Sequence, residues 1–149
     1  MRAGDIMPRN VVSVSRETPA SRVAMLCLTQ GTSGLPVVDQ DRRIVGMIGQ
    51  GNLVRGSQES VERRALWLHL LAAGLSGREQ LADAGDLTAE QVMTPEFIST
   101  TETASIEAVA QLLVEHDVNL LPVVREGRLT GIIGRSDILA AFVKWARQS

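Results

Sequence analysis

Aromatic side chains are nearly missing from this chain of 149 residues: two phenylalanines, two tryptophans and no tyrosine. Its core must therefore close on aliphatic groups. A single cysteine, Cys27, excludes an internal disulfide and suits a reducing cytoplasm. Cys27 falls on the apolar face of an expected helix, where a thiol acts as a small core residue rather than a nucleophile. The chain also lacks a basic block. Its formal net charge is −2 and its arginines are scattered, which excludes nucleic acid as a main partner. No apolar run reaches the roughly 20 residues of a membrane span, and no charged start followed by an apolar stretch opens the chain. These absences describe a soluble, cytoplasmic protein with no membrane partner.

What the chain does contain is a duplication. Residues 7–38 overlay 93–124 without a gap, and after one residue is dropped in a turn, 46–54 overlay 131–139. This length suits one compact domain, or two half-sized units that share a core. The repeat favours the second arrangement and sets boundaries at 1–55 for the first copy, 56–87 for an inter-repeat segment and 88–149 for the second copy.

Each copy opens on a short β-branched or aromatic stretch, 11–14 and 97–100, that predicts a strand. A helix follows, with apolar residues at Ala20, Val23, Ala24, Cys27 and Leu28, matched by Ile106, Val109, Ala110, Leu113 and Val114. This i, i+3, i+4, i+7, i+8 stripe packs one face. Thr18 before Pro19 reads as a helix start, and Thr103 or Ser105 serves in the second copy. Two apolar runs around a polar turn then predict a hairpin in each copy, Leu35-Pro36-Val37-Val38 with 44–48 and Leu121-Pro122-Val123-Val124 with 129–133. Closing helices begin near Gln50 and Ser136. The order β-α-β-β-α, twice, places the chain in the α/β (α+β) class, with two repeats packed by pseudo-two-fold symmetry and a helical insert between them.

The insert is too apolar for a flexible linker. Residues 65–73 form a strong helical pattern around Trp67, and Ser76-Gly77-Arg78-Glu79 opens another short helix. Thr88-Ala89-Glu90-Gln91 repeats this capping-box pattern just before the second copy.

The strings Gln91-Val92-Met93-Thr94-Pro95, Leu121-Pro122-Val123-Val124 and 131–139, in this order and duplicated, resemble a tandem pair of cystathionine beta-synthase (CBS) domains, the Bateman module. The resemblance implies a non-enzymatic regulatory module that holds an adenosine-containing ligand (AMP, ATP or S-adenosylmethionine) in the cleft between repeats and pairs as a homodimer. It implies ribose recognition by Asp137, whose acceptor-only carboxylate suits vicinal hydroxyls, and more weakly by Asn52. The resemblance further implies Arg135, beside the helix start, as the phosphate partner, and Val92, Met93, Ile98 and Pro122 as the adenine pocket.

The sequence also departs from the family pattern. Glycines Gly49 and Gly134 stand where the family carries serine or threonine, Asn52 replaces an aspartate, and basic residues are missing at Ser33, Gly34, Asn119 and Leu120. A nucleoside or monophosphate is accordingly expected over a triphosphate. The alternative is a pair that binds no ligand and serves as a dimerisation or protein-docking module, with Trp67 at the docking surface. The bland reading of Asp137 is a helix cap.

Other constellations are weaker. The glycine-rich string 46–51 ends a hairpin instead of opening a βαβ crossover, which excludes a dinucleotide fingerprint. His69 and His116 have no metal-ligand neighbours, and no nucleophile has a base and an orienting acid. No catalytic residue, metal or required cofactor is assigned.

Overall fold

The computed structural model describes residues 1–55 and 87–148. In chain order these form α1 (Ala3–Ile6), α2 (Ala20–Gln30), β1 (Gly34–Val38), β2 (Ile44–Gly49), α3 (Gln50–Arg55), α4 (Ala89–Val92), α5 (Ile106–Glu115), β3 (Leu120–Arg125), β4 (Arg128–Gly134) and α6 (Arg135–Gln148). Both copies run helix, strand pair, helix behind a one-turn opening helix, so the chain is mixed α/β as its periodicities imply. The expectations for Trp67, His69 and the 76–79 capping pattern lie outside the described residues.

Contacts divide the chain into two compact units. A terminal unit combines Met1–Val12, Asp41–Ile44 and Ile98–Ser149, and an inner unit combines Ser13–Gln40 with Val45–Phe97. Each unit thus joins the opening segment of one sequence copy to the body of the other.

In the terminal unit, β3 and β4 pair antiparallel from Leu120↔Gly134 to Arg125↔Arg128, with a bulge between Val123 and Val124. The core beneath is Ala3, Met7, Val109, Leu113, Leu121, Val123 and Ile133. In the inner unit β1 pairs with β2, and the buried residues include Val23, Cys27, Leu35, Val37, Ile48 and Val92. Among the described residues both interiors are without buried rings: Phe142 and Trp145 are exposed and Phe97 is only half-buried.

Three local expectations are corrected. The opening strands shrink to single parallel bridges, Val14↔Val37 and Thr100↔Val123. Val14 N–H donates to Pro36 and its carbonyl accepts from Val38; Thr100 does the same with Pro122 and Val124. One step back along each ladder, the required donor would be the N–H of Pro36 or Pro122, which proline lacks.

The helix stripe is narrower than expected. Leu28 is 79% and Val114 71% exposed. At 100° per residue the i+8 position lies on the order of 100° from the centre of the buried i, i+3, i+7 row.

Thr18 does not cap α2. Its Oγ1 accepts from Ser15 N–H at 3.1 Å inside the preceding turn, while Pro19 occupies the cap position and Ala20 N–H donates to Leu87 at 2.6 Å. Of the two alternatives in the second copy, Ser105 is the cap, accepting from Ala108 N–H at 3.1 Å. Before α4, Gln91 Oε1 accepts from Thr88 N–H at 2.9 Å, the acid-side half of a capping box.

Candidate functional site

Strand β4 runs directly into α6, so the helix start is fixed by the strand. Gly134 N–H donates to Oδ2 of Asp137 at 2.8 Å, and Arg135 N–H donates to the Asn119 carbonyl at 3.1 Å. One carboxylate oxygen of Asp137 is therefore a helix cap. The other oxygen has no hydrogen-bond partner among the described residues, and the side chain is half-buried. Oδ2 thus holds the helix, and Oδ1 remains an acceptor at the helix N-terminus. A side chain at position 134 would approach the Asn119 carbonyl to 3.1 Å and Asp137 Oδ2 to 3.7 Å, so glycine keeps this corner open.

The inner unit repeats the motif with a different outcome. Gly49 N–H donates to Oδ1 of Asn52 at 2.9 Å, which reproduces the cap. The amide of Asn52 then donates to the Val92 carbonyl at 3.0 Å and to Thr94 Oγ1 at 2.9 Å. Asn52 is spent on the protein itself, whereas Asp137 is not.

Arg135 is exposed, but its guanidinium faces the end of α5. Nε donates to the Val118 carbonyl and Nη2 to the Leu113 carbonyl, both at 3.1 Å, with Asp117 Oδ1 3.6 Å from Nη2. A cation here complements the carbonyl-rich end of the helix.

The four residues expected around adenine separate by unit. Ile98, half-buried against the core, and buried Pro122 share the terminal unit with Asp137. Val92 and Met93 share the inner unit with Asn52; there the Met93 sulfur lies so close to Gly46 that a Cβ at that position would collide with it. In Asp137's own unit the matching places belong to Ile6 and Met7, with Pro8 in the place of Thr94. Ile6 and Met7 pack in the terminal core, and the Met7 sulfur lies against Gly131. Sequence reasoning passed over these three residues. The repeat alignment held the signal, because it equates 7 and 8 with 93 and 94, and one further step back pairs Ile6 with Val92.

Elsewhere, Cys27 is buried in α2, and burial pushes its thiol pKa up, as suits a core residue. His116 is exposed at the end of α5. No group of three metal-ligating side chains occurs among the described residues. The 46–51 string ends β2 and opens α3 beside β1. On α6 an apolar face stays uncovered: Leu139, Phe142, Val143 and Trp145 are exposed, and Phe142 and Trp145 stack at a tilt with centroids 6.3 Å apart. Leu139, Val143 and Lys144 line an open groove along this helix. Among the described residues no helix is long and apolar enough to cross a membrane.

The strand-to-helix corner is duplicated, with an acidic or amide side chain capping the helix in each copy. The CBS domain model matches residues 3–59 and 89–144, and the chain belongs to the CBS domain family. It is 29% identical to protein MJ1426 of Methanocaldococcus jannaschii, over 93% of this chain and 89% of that protein. It is 22% identical to protein MJ1225 of the same organism, over 91% of this chain, but spans only 40% of that relative's length. Among solved structures, CBSX2 in complex with AMP superposes with a TM-score of 0.73 at 23% identity, covering 97% of this chain and 98% of that one. The CBS domain pair of protein MJ0100, in complex with 5'-methylthioadenosine and S-adenosyl-L-methionine, superposes with a TM-score of 0.71 at 20% identity, covering 97% and 98%.

Proposed function

We propose that this chain is a non-enzymatic regulatory module that binds an adenosine-containing small molecule beside Asp137. The observation that carries the reading is the second oxygen of Asp137 at the start of α6, which has no partner among the described residues and is an acceptor for ribose hydroxyls. Ile98 and Ile6, both half-buried in the same unit, offer apolar surface for a base. CBSX2 with AMP, and MJ0100 with methylthioadenosine and S-adenosylmethionine, support the ligand class, since both share the fold of this chain. Arg135 already commits Nε and Nη2 to the carbonyls of Val118 and Leu113, so the reading favours recognition through the nucleoside. Regulation follows if the ligand prefers one arrangement of the module over another, and only by that difference in affinity. Calorimetric titration with adenosine, AMP, ADP, ATP and S-adenosylmethionine tests this. Absence of heat with all five at millimolar concentration defeats the reading.

A second reading, a dimerisation module, is favoured by the exposed apolar face of α6. A second copy of this chain is the proposed occupant, and the two readings are compatible. Cytoplasmic residence completes the proposal, in keeping with the single thiol.

A further inference from the structure

We infer that Asn52 latches the segment Ala89–Thr94 in place, and that this latch leaves the module with one ligand per chain, taken at Asp137 and refused at Asn52. The inference rests on the Asp137 reading for its ligand half and on geometry alone for its latch half.

The two units hold their opening segments alike at one end. Ala89 and Glu90 N–H donate to Thr18 and Arg16 at 2.8 and 3.0 Å, and Ala3 and Gly4 N–H donate to Ala104 and Glu102 at 2.8 and 2.9 Å. At the other end they differ. In the inner unit Met47 and Thr94 exchange both backbone bonds, 3.0 and 2.8 Å, and the Asn52 amide adds two more, to Val92 and Thr94. In the terminal unit Pro8 replaces Thr94 and cannot donate. One long bond remains, Ile132 N–H to the Pro8 carbonyl at 3.4 Å, and Asp137, a carboxylate, has no hydrogen to give.

The chemistry of the two side chains decides the rest. An amide has one acceptor oxygen, with two lone pairs, and two donor hydrogens; Asn52 turns its oxygen to Gly49 N–H and gives both hydrogens to the opening segment. A ligand hydroxyl arriving there must share an oxygen already engaged by Gly49 N–H and meets an amide nitrogen with no hydrogen left to offer, so it gains less than at the second oxygen of a carboxylate. Among the described residues Asp137 makes only the cap, and it meets an incoming hydroxyl with its other oxygen.

Asn52→Asp is the discriminating substitution, because it keeps an oxygen to cap Gly49 and exchanges the two donors for a second carboxylate oxygen facing the Val92 carbonyl. Thr94→Val, nearly isosteric, removes one latch acceptor without touching the helix. Amide hydrogen exchange in the full chain without ligand reads the latch: Thr94 and Met47 should exchange at least tenfold faster in Asn52→Asp and by a smaller factor in Thr94→Val. Unchanged exchange in both overturns the latch. Calorimetry with adenosine then reads the consequence, and the stoichiometry should rise from one to two per chain in Asn52→Asp. A stoichiometry still at one, with exchange accelerated, overturns the claim that the latch excludes the ligand. Adenosine bound by neither protein sinks the Asp137 reading and the exclusion with it, while the exchange result still decides the latch.

Discussion

The guanidinium of Arg135, the first residue of α6, donates to the carbonyl of Leu113 in the last turn of α5 at 3.1 Å. Removing this tie should loosen the packing of the two helices and leave nucleoside recognition alone. Arg135→Ala is expected to cost about 1 kcal/mol in urea unfolding, after allowance for the exposure of the side chain. Adenosine and AMP should bind with equal affinity in both proteins. A tenfold loss for AMP with adenosine unaffected would instead make Arg135 a phosphate ligand.

The two oxygens of Asp137 can be separated by mutation. Asp137→Asn keeps a carbonyl oxygen for the Gly134 cap, so its unfolding midpoint should stay near that of the parent while adenosine affinity falls about tenfold, the loss of one charge-assisted bond. Asp137→Ala should lose affinity too, and about 1 kcal/mol of stability for the cap. Equal stability of Ala and Asn variants would refute the division of labour.

Glycines on the strands differ in what confronts an added methyl. At Gly34 it would meet the Ile48 carbonyl at 2.7 Å, which is backbone and cannot swing away. At Gly131 its closest neighbour would be the Met7 sulfur at 2.7 Å, at the flexible end of a side chain. Thermal melts should therefore rank Gly34→Ala below Gly131→Ala, with a cost of about 1 to 3 kcal/mol at Gly34.

Burial raises the pKa of Cys27, so the native state holds its proton where an unfolded chain would release it. The associated stability is fully present below the unfolded thiol pKa and is lost as pH rises through the folded value. Urea midpoints measured across the alkaline range should fall, and Cys27→Ala should flatten that fall. A disulfide-exchange reagent should react with the native thiol far more slowly than with the unfolded one.

If α6 meets a second copy of the chain, Phe142→Glu should convert the dimer into a monomer in sedimentation equilibrium, because it puts a charge on the apolar face. The same substitution should leave the unfolding midpoint of the monomer nearly unchanged, since Phe142 is 62% exposed. A chain that is monomeric before mutation removes the second reading.

The helices, hairpins and aliphatic interior were legible because each is a local pattern: a period, a turn, a shortage of rings. The opening strands were not. Their length depends on the missing N–H of Pro36 and Pro122, which matters only once the pairing partner is known. The cap at Ser105 was legible, and the one at Thr18 was lost to the Leu87 carbonyl, a group remote in sequence. The cap that Asp137 places on α6 was legible as aspartate at a helix start. The occupation of Asn52 by Val92 and Thr94 was hidden, because a repeat shows that two segments are alike without showing which body each one joins.

That exchange of opening segments has a further consequence for the chain as a physical object. A protease that nicked the backbone between the copies would not free two independent halves. The N-terminal fragment would carry Met1–Val12, which belongs with Ile98–Ser149, and the C-terminal fragment would carry α4, which belongs with the body of copy one. Each piece would walk away with a part the other needs, so the nicked protein should stay assembled, and the separate pieces should regain structure only on being mixed.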